Sequence, residues 1–331
     1  MEDALLVIVI VVALVFDFTN GFHDTANAVA TSVSTRALSP RAAVAVAAAA
    51  NLGGAFATTA VAKTVGKGII DTGLANTKTV LAALIGAIAW NLITWWRGLP
   101  SSSSHALIGG LLGAAMAQSW TDGVEWHGIA HKVAIPSLVS PLVGFGGAFV
   151  LLVVIYRLFG WLSRGAASRA FRLGQLASGT WFAFSHGAND AQKTMGVIAL
   201  ALFAHGSIDT FTIPIWVIVA AGLAIGAGTY VGGWRIMRTL GQRIYKLEPE
   251  HGFSAQVSAG TTLYAASVLG FPVSTTYVAS GSVMGAGATK RLSAVRWGVA
   301  GSILTAWLLT IPAAGLVAAA LYWPIVGIFS L

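Results

Sequence analysis

Cysteine is missing altogether from this chain of 331 residues, so no disulfide staples it and no thiolate can hold a metal. Charge is scarce as well. Asp, Glu, Lys and Arg together make up 9% of the residues, where a soluble domain carries about 25%. Negative charge is the scarcer sign, 11 acidic residues against 19 basic ones. So little charge, with 56% hydrophobic residues, excludes an ordinary soluble fold and reads as a polytopic, all-α membrane protein. The 39 glycines agree, because small residues let membrane helices approach closely. The net charge of +8 does not point to nucleic acid, because the basic residues lie in connections between apolar runs. The first run, ALLVIVIVVALVF (4–16), has neither a leading Lys or Arg nor a small-residue cleavage site. It reads as a retained membrane helix rather than a signal peptide.

Runs long enough to cross a bilayer fall at 4–32, 42–62, 79–97 with 104–118, and 136–156 in the first half. In the second half they fall at 174–204, 213–234, 254–269 with 273–289, and 296–323. The runs 4–32 and 174–204 are expected to be broken by polar motifs. Arg36, Arg41, Arg157, Arg164, Arg169, Arg172, Arg235, Arg238, Arg243, Lys246, Lys290, Arg291 and Arg296 form the basic connections. The N-terminus, 119–135, 204–212 and the C-terminus are poor in Lys and Arg. The bias places the basic set in the cytoplasm and both termini outside a cell inner (plasma) membrane, with Lys63, Lys67 and Lys78 against it.

A fixed offset exposes a repeat. GFHDTANA (21–28) aligns with GANDAQKT (187–194), placing Asp190 166 positions after Asp24. GLPSSSSHALIGG (98–110) aligns with GFPVSTTYVASGS (270–282), pairing Pro100 with Pro272 and Ser103 with Thr275. The expected organisation is two inverted repeats, 1–160 and 173–331, joined by a short basic cytoplasmic linker at 161–172. Under the charge bias the first Asp helix runs inward and the second outward, as in secondary transporters.

Two chemistries follow. In each Gly-x-Pro-hydroxyl segment, glycine and proline end one helix and the hydroxyls cap the next, making the tip of a re-entrant helical hairpin. A new helix N-terminus with Ser102, Ser103 and Ser104, or Ser274, Thr275 and Thr276, suits an anion. The other motif carries Asp24 and Asp190, with the amides Asn27 and Asn189, hard ligands for Na⁺ or a proton. Carboxylates repel an anion until a cation loads, and that order of events couples the two. Lys193 either pairs with Asp190 three residues earlier or meets the anion; His23 could carry a coupling proton. Arg97 is left unassigned, and Asp17 is read as bonded to a neighbouring polar group.

These segments resemble the inorganic phosphate transporter (PiT) family, whose signature is a G-x-N-D-x-x-N segment followed by G-x-P-x-S-[ST]-[ST]-[HY] in each half. NGFHDTANAVAT and SHGANDAQKTMG are most similar to the bacterial low-affinity branch. The resemblance implies uptake of phosphate with a co-transported cation, Na⁺ or H⁺, or as a metal–phosphate complex; sulfate permeases of the same family are the alternative. By match to its motifs it implies Asp24, Asn27, Ser102, Ser103, Asp190, Ser274 and Thr275 as substrate and cation residues. Together with the reading of the residues above, the phosphate ligands are expected among Ser102, Ser103, Ser104, Ser274, Thr275, Thr276, Asn27 and Lys193. The cation set is Asp24, Asp190, Asn189 and His23, His23 replacing the more common Asn. Expected partners are inorganic phosphate and the bilayer, with a homodimer allowed and no nucleic acid, resident metal or cofactor. The enzyme reading, a hydrolase using Ser103 or Ser104 with His105, meets poor geometry: neighbours on a helix point about 100° apart. A passive anion channel would have no use for buried carboxylates.

Overall fold

The computed structural model describes residues 2–99, 101–232, 247–290 and 297–329. Pro100 and the basic residues Arg235, Arg238, Arg243, Lys246, Arg291 and Arg296 lie outside them. Eleven helices carry the described architecture, with one isolated antiparallel bridge, Ile70 to Val124, between loops. They are α1 (Glu2–Ser34), α2 (Pro40–Gly54), α3 (Ala60–Lys67), α4 (Thr77–Arg97), α5 (Ser103–Ser119) and α6 (Ile135–Phe159). There follow α7 (Arg164–Ala204), α8 (Ile215–Val231), α9 (Pro249–Val268), α10 (Thr275–Ala288) and α11 (Trp297–Ile328). A π-helical turn at Ile129–Ala134 leads into α6. Residues 164–172 of the basic connection are the first turns of α7.

Polar and apolar residues are distributed inside out relative to a soluble protein. Asp17, Asn20, Asp24, His186, Asp190 and Lys193 are buried, while Leu138, Leu142, Leu308 and Leu316 are exposed. Water as the outer solvent would penalise both choices; hydrocarbon rewards both. Among the described residues four helical stretches, Glu2–Ser34, Thr77–Arg97, Trp126–Phe159 and Ile303–Ile328, are long and apolar enough to cross a bilayer.

The Asp helices are not broken. α1 runs unbroken through 21–28 and α7 through 187–194. Neither contains proline, so every turn keeps its backbone donor. Their motif glycines serve close packing instead. A Cβ on Gly21 would lie 2.4 Å from Ile225 O of α8, and one on Gly187 2.1 Å from Asn51 O of α2. The expected breaks do occur at the hydroxyl motifs. α4 ends on Gly98 and α9 is followed by Gly270, with φ of 66° and 75°, where an L side chain is strained. Ser102 then caps α5 by accepting from His105 N (3.1 Å), and Ser274 caps α10 by accepting from Tyr277 N (3.3 Å).

The expected span 42–62 is divided into α2 and α3. Thr59 makes no side-chain cap for α3. The buried Gln192 of α7 does it from a distance, its Oε1 accepting from Val61 N (2.8 Å) and Ala62 N (3.2 Å). A helix start in the interior is thereby satisfied by another element.

Candidate functional site

The middles of α1 and α7 meet the first turns of α5 and α10. Each hydroxyl-capped N-terminus faces a carboxylate. Ser103 Oγ donates to Asp24 Oδ2 (3.1 Å), and Thr275 Oγ1 donates to Asp190 Oδ1 (3.0 Å). The next pair crosses over. Asn27 Nδ2 donates to Thr276 Oγ1 (2.9 Å), so α1 reaches α10; Lys193 Nζ donates to Ser104 Oγ, so α7 reaches α5. Asn27 and Lys193 share the 166-residue offset of the two aspartates, and Ser104 and Thr276 share the 172-residue offset of Ser103 and Thr275. The contacts therefore repeat as the sequence does.

All the candidate residues are buried. Lys193 Nζ also donates to Asp190 Oδ1 and to Val273 O (3.1 Å). His23 Nδ1 lies 2.7 Å from Asp24 Oδ1, and its Nε2 faces Thr94 Oγ1 (3.3 Å) and Ser101 Oγ (3.4 Å). Asn189 turns away from the carboxylates: its Nδ2 donates to Ser267 Oγ and Phe271 O, both at 3.1 Å, tying α7 to the break after α9. The Oδ1 atoms of Asn20, Asn27 and Asn189 are buried and make no hydrogen bond. Such oxygens are the hard ligands a cation would use. Asp17 is fully buried on α1 with Thr194 and Asn20 beside it, and Arg97 is exposed at the end of α4.

His186 was not among the sequence candidates, although it stands inside SHGANDAQKTMG. Its Nε2 is 3.3 Å from Asp190 Oδ2, and its Nδ1 is 2.8 Å from Asn51 Oδ1. Asn20, which sits at the same 166-residue offset from it, donates from Nδ2 to Asp190 Oδ2 (3.5 Å). Both residues precede their aspartate by four, one helical turn; that spacing was the available signal. One ligand atom each from Asp24, His186 and Asp190 lie within 4.8 Å of one another, close enough to share an ion.

The hydrolase arrangement is absent from this site. His105 Nε2 pairs with Ser137 Oγ (2.8 Å), Ser103 Oγ with Asp24, and Ser104 Oγ with Val273 O (3.2 Å). Neither serine is paired with His105, so the proposed nucleophile and base do not meet. What remains is a buried cluster of carboxylates, amides and hydroxyls between long apolar helices and the starts of two short ones, an arrangement of the kind found in membrane transporters.

Comparison with known proteins narrows the class. The chain belongs to the phosphate transporter family, whose model matches residues 20–318. A Mycobacterium bovis protein named "Probable low-affinity inorganic phosphate transporter" is 49% identical over 320 residues, covering 96% of this chain and 77% of its own. Proteins of the same name from Rhizobium meliloti and Bacillus subtilis are 48% and 42% identical, each alignment covering 96% of both chains. A solved structure titled "The sodium-dependent phosphate transporter" superposes with a TM-score of 0.89 at 26% identity, over 97% of this chain and 98% of that one.

Proposed function

We propose that this protein takes up inorganic phosphate across the cell inner membrane together with a cation, Na⁺ or H⁺. The observation that carries the reading is the doubled contact of a buried carboxylate with a hydroxyl at a helix start, Asp24 with Ser103 and Asp190 with Thr275. The helix starts offer backbone N–H groups, hydroxyls and a partial positive charge to an oxyanion. The carboxylates oppose that anion until a cation neutralises their field. Binding of one ion thus raises affinity for the other, and by linkage the reverse holds equally.

The proposed architecture is two inverted halves, with α4–α5 and α9–α10 as re-entrant hairpins. Its supports are the repeated contacts and the shortness of α5 and α10, 17 and 14 residues. At 1.5 Å per residue, α10 reaches only about 21 Å of a hydrocarbon core about 30 Å thick. On this reading the basic connections lie in the cytoplasm and both termini outside.

Phosphate is favoured over sulfate because it keeps a proton that Asp24 or Asp190 can accept, and the relatives named above are phosphate transporters. The sulfate alternative finds no such relative among them. A neutral metal–phosphate complex is the second form of substrate to consider, since the grouping of two carboxylates with the His186 imidazole suits a divalent ion. Uptake of labelled phosphate into proteoliposomes, with Na⁺ and pH gradients imposed separately, tests the proposal. One gradient should drive accumulation; phosphate entry indifferent to both would overturn cation coupling.

A further inference from the structure

We propose that the Lys193 ammonium is a resident cation, built into the Asp190 half of the site in place of a transported one. This rests on the reading of the site as a coupled phosphate and cation site. An ammonium has three donors and no acceptor. Here Lys193 Nζ donates to Asp190 Oδ1, Ser104 Oγ and Val273 O, a carboxylate, a hydroxyl and a carbonyl. Those are the oxygen types that hold a small hard cation. Ser104 gives its own hydrogen to Val273 O, which leaves its lone pairs toward the ammonium. Lys193 is 1% exposed, so solvent does not compete for these contacts.

The Asp24 half is built differently. At the position equivalent to Lys193 stands Asn27, whose Nδ2 donates to Thr276 Oγ1 and whose Oδ1 is buried without a hydrogen bond. Its aspartate is faced by His23 and Ser103, neither of which brings a fixed charge. One half therefore carries a tethered positive charge, and the other must receive its cation from outside. The two halves share a scaffold but not a stoichiometry: this protein takes up one cation fewer than a version with an amide at both positions. A tethered ammonium also keeps the Asp190 half open to the anion when no ion gradient exists.

The experiment exchanges Lys193 for the residue its counterpart carries. Phosphate binding by full-length purified protein is titrated over a Na⁺ series at constant pH and ionic strength, for wild type, Lys193→Asn and Lys193→Gln. Phosphate affinity of the variants without Na⁺ should fall about tenfold or more, the loss of a charge-assisted contact. Na⁺ should restore it, and the slope of log affinity against log Na⁺ should exceed the wild-type slope by about one ion. An unchanged slope with wild-type affinity would mark Lys193 as a structural partner of Asp190. Binding lost at every Na⁺ concentration, in folded protein, would make the ammonium a direct anion ligand. Failure of both variants to fold whatever the Na⁺ concentration also overturns the proposal, because a resident cation should be replaceable by a free one. If wild type itself does not bind phosphate, the reading of the site fails instead.

Discussion

At the scale of single residues, the hydroxyls and the carboxylates do separable things. Ser103 and Thr275 each donate their hydrogen to an aspartate in this structure, and on the proposed reading each would be shared between carboxylate and anion. Ser103→Ala and Thr275→Ala should each raise the half-saturating phosphate concentration about tenfold or more, since a hydrogen bond to a charged group is worth about 1.5–3 kcal/mol. Normal transport kinetics in both variants would remove the hydroxyls from the anion site. Much of this was legible beforehand, because a hydroxyl run after Gly-x-Pro and a carboxylate in an apolar run are each conspicuous against a greasy background. His186 was not legible as a site member. A lone histidine has many structural uses, and only the fold brings it to 3.3 Å from Asp190 on one side and 2.8 Å from Asn51 on the other.

At the scale of helices, the sequence suggested breaks in four places, and the molecule makes two of them. Polar motifs at 21–28 and 187–194 resembled interruptions because polar residues usually end membrane helices. In α1 and α7 their side chains bond to other helices, so the backbone has no reason to unwind. The glycines there are read correctly only with the neighbour in view, since Gly187 and Gly21 are contact points for α2 and α8. Gly187→Leu should therefore cost stability through overpacking, about 1–3 kcal/mol or more. Gly146→Ala on α6, where a Cβ would meet nothing within 4 Å, should leave the melting temperature unchanged or slightly raised. Equal melting temperatures for the two variants would contradict the packing role. The division of α2 from α3 was equally hidden, because the cap that permits it, Gln192, is remote in sequence.

At the scale of the whole molecule, the proposal is of two halves that meet the membrane in opposite senses and share one site. Cysteines introduced singly at Ser163 and Ser207, flanking the 41-residue α7 of a cysteine-free chain, should react with an impermeant thiol reagent from opposite faces. Position 163 should label from the cytoplasm and 207 from outside; labelling of both from one face would end the inverted-repeat reading. Charge bias is the ground for the proposed orientation, and the 166- and 172-residue offsets gave the pairing, but only the fold crosses Asn27 to Thr276 and Lys193 to Ser104. On the proposed reading that crossing makes a single site from two half-sites, in which a cation in one half would act on an anion held by both. The most direct test is phosphate binding by purified Asp24→Asn and Asp190→Asn proteins across a Na⁺ series and a pH series. The account predicts that folded Asp24→Asn protein keeps part of its phosphate binding, with less repulsion toward the anion, and loses the cation dependence seen in wild type. Asp190→Asn, whose carboxylate is served by the tethered Lys193, retains it. Wild-type cation dependence in Asp24→Asn as well, with only the yield of folded protein reduced, would make that aspartate structural and contradict the account.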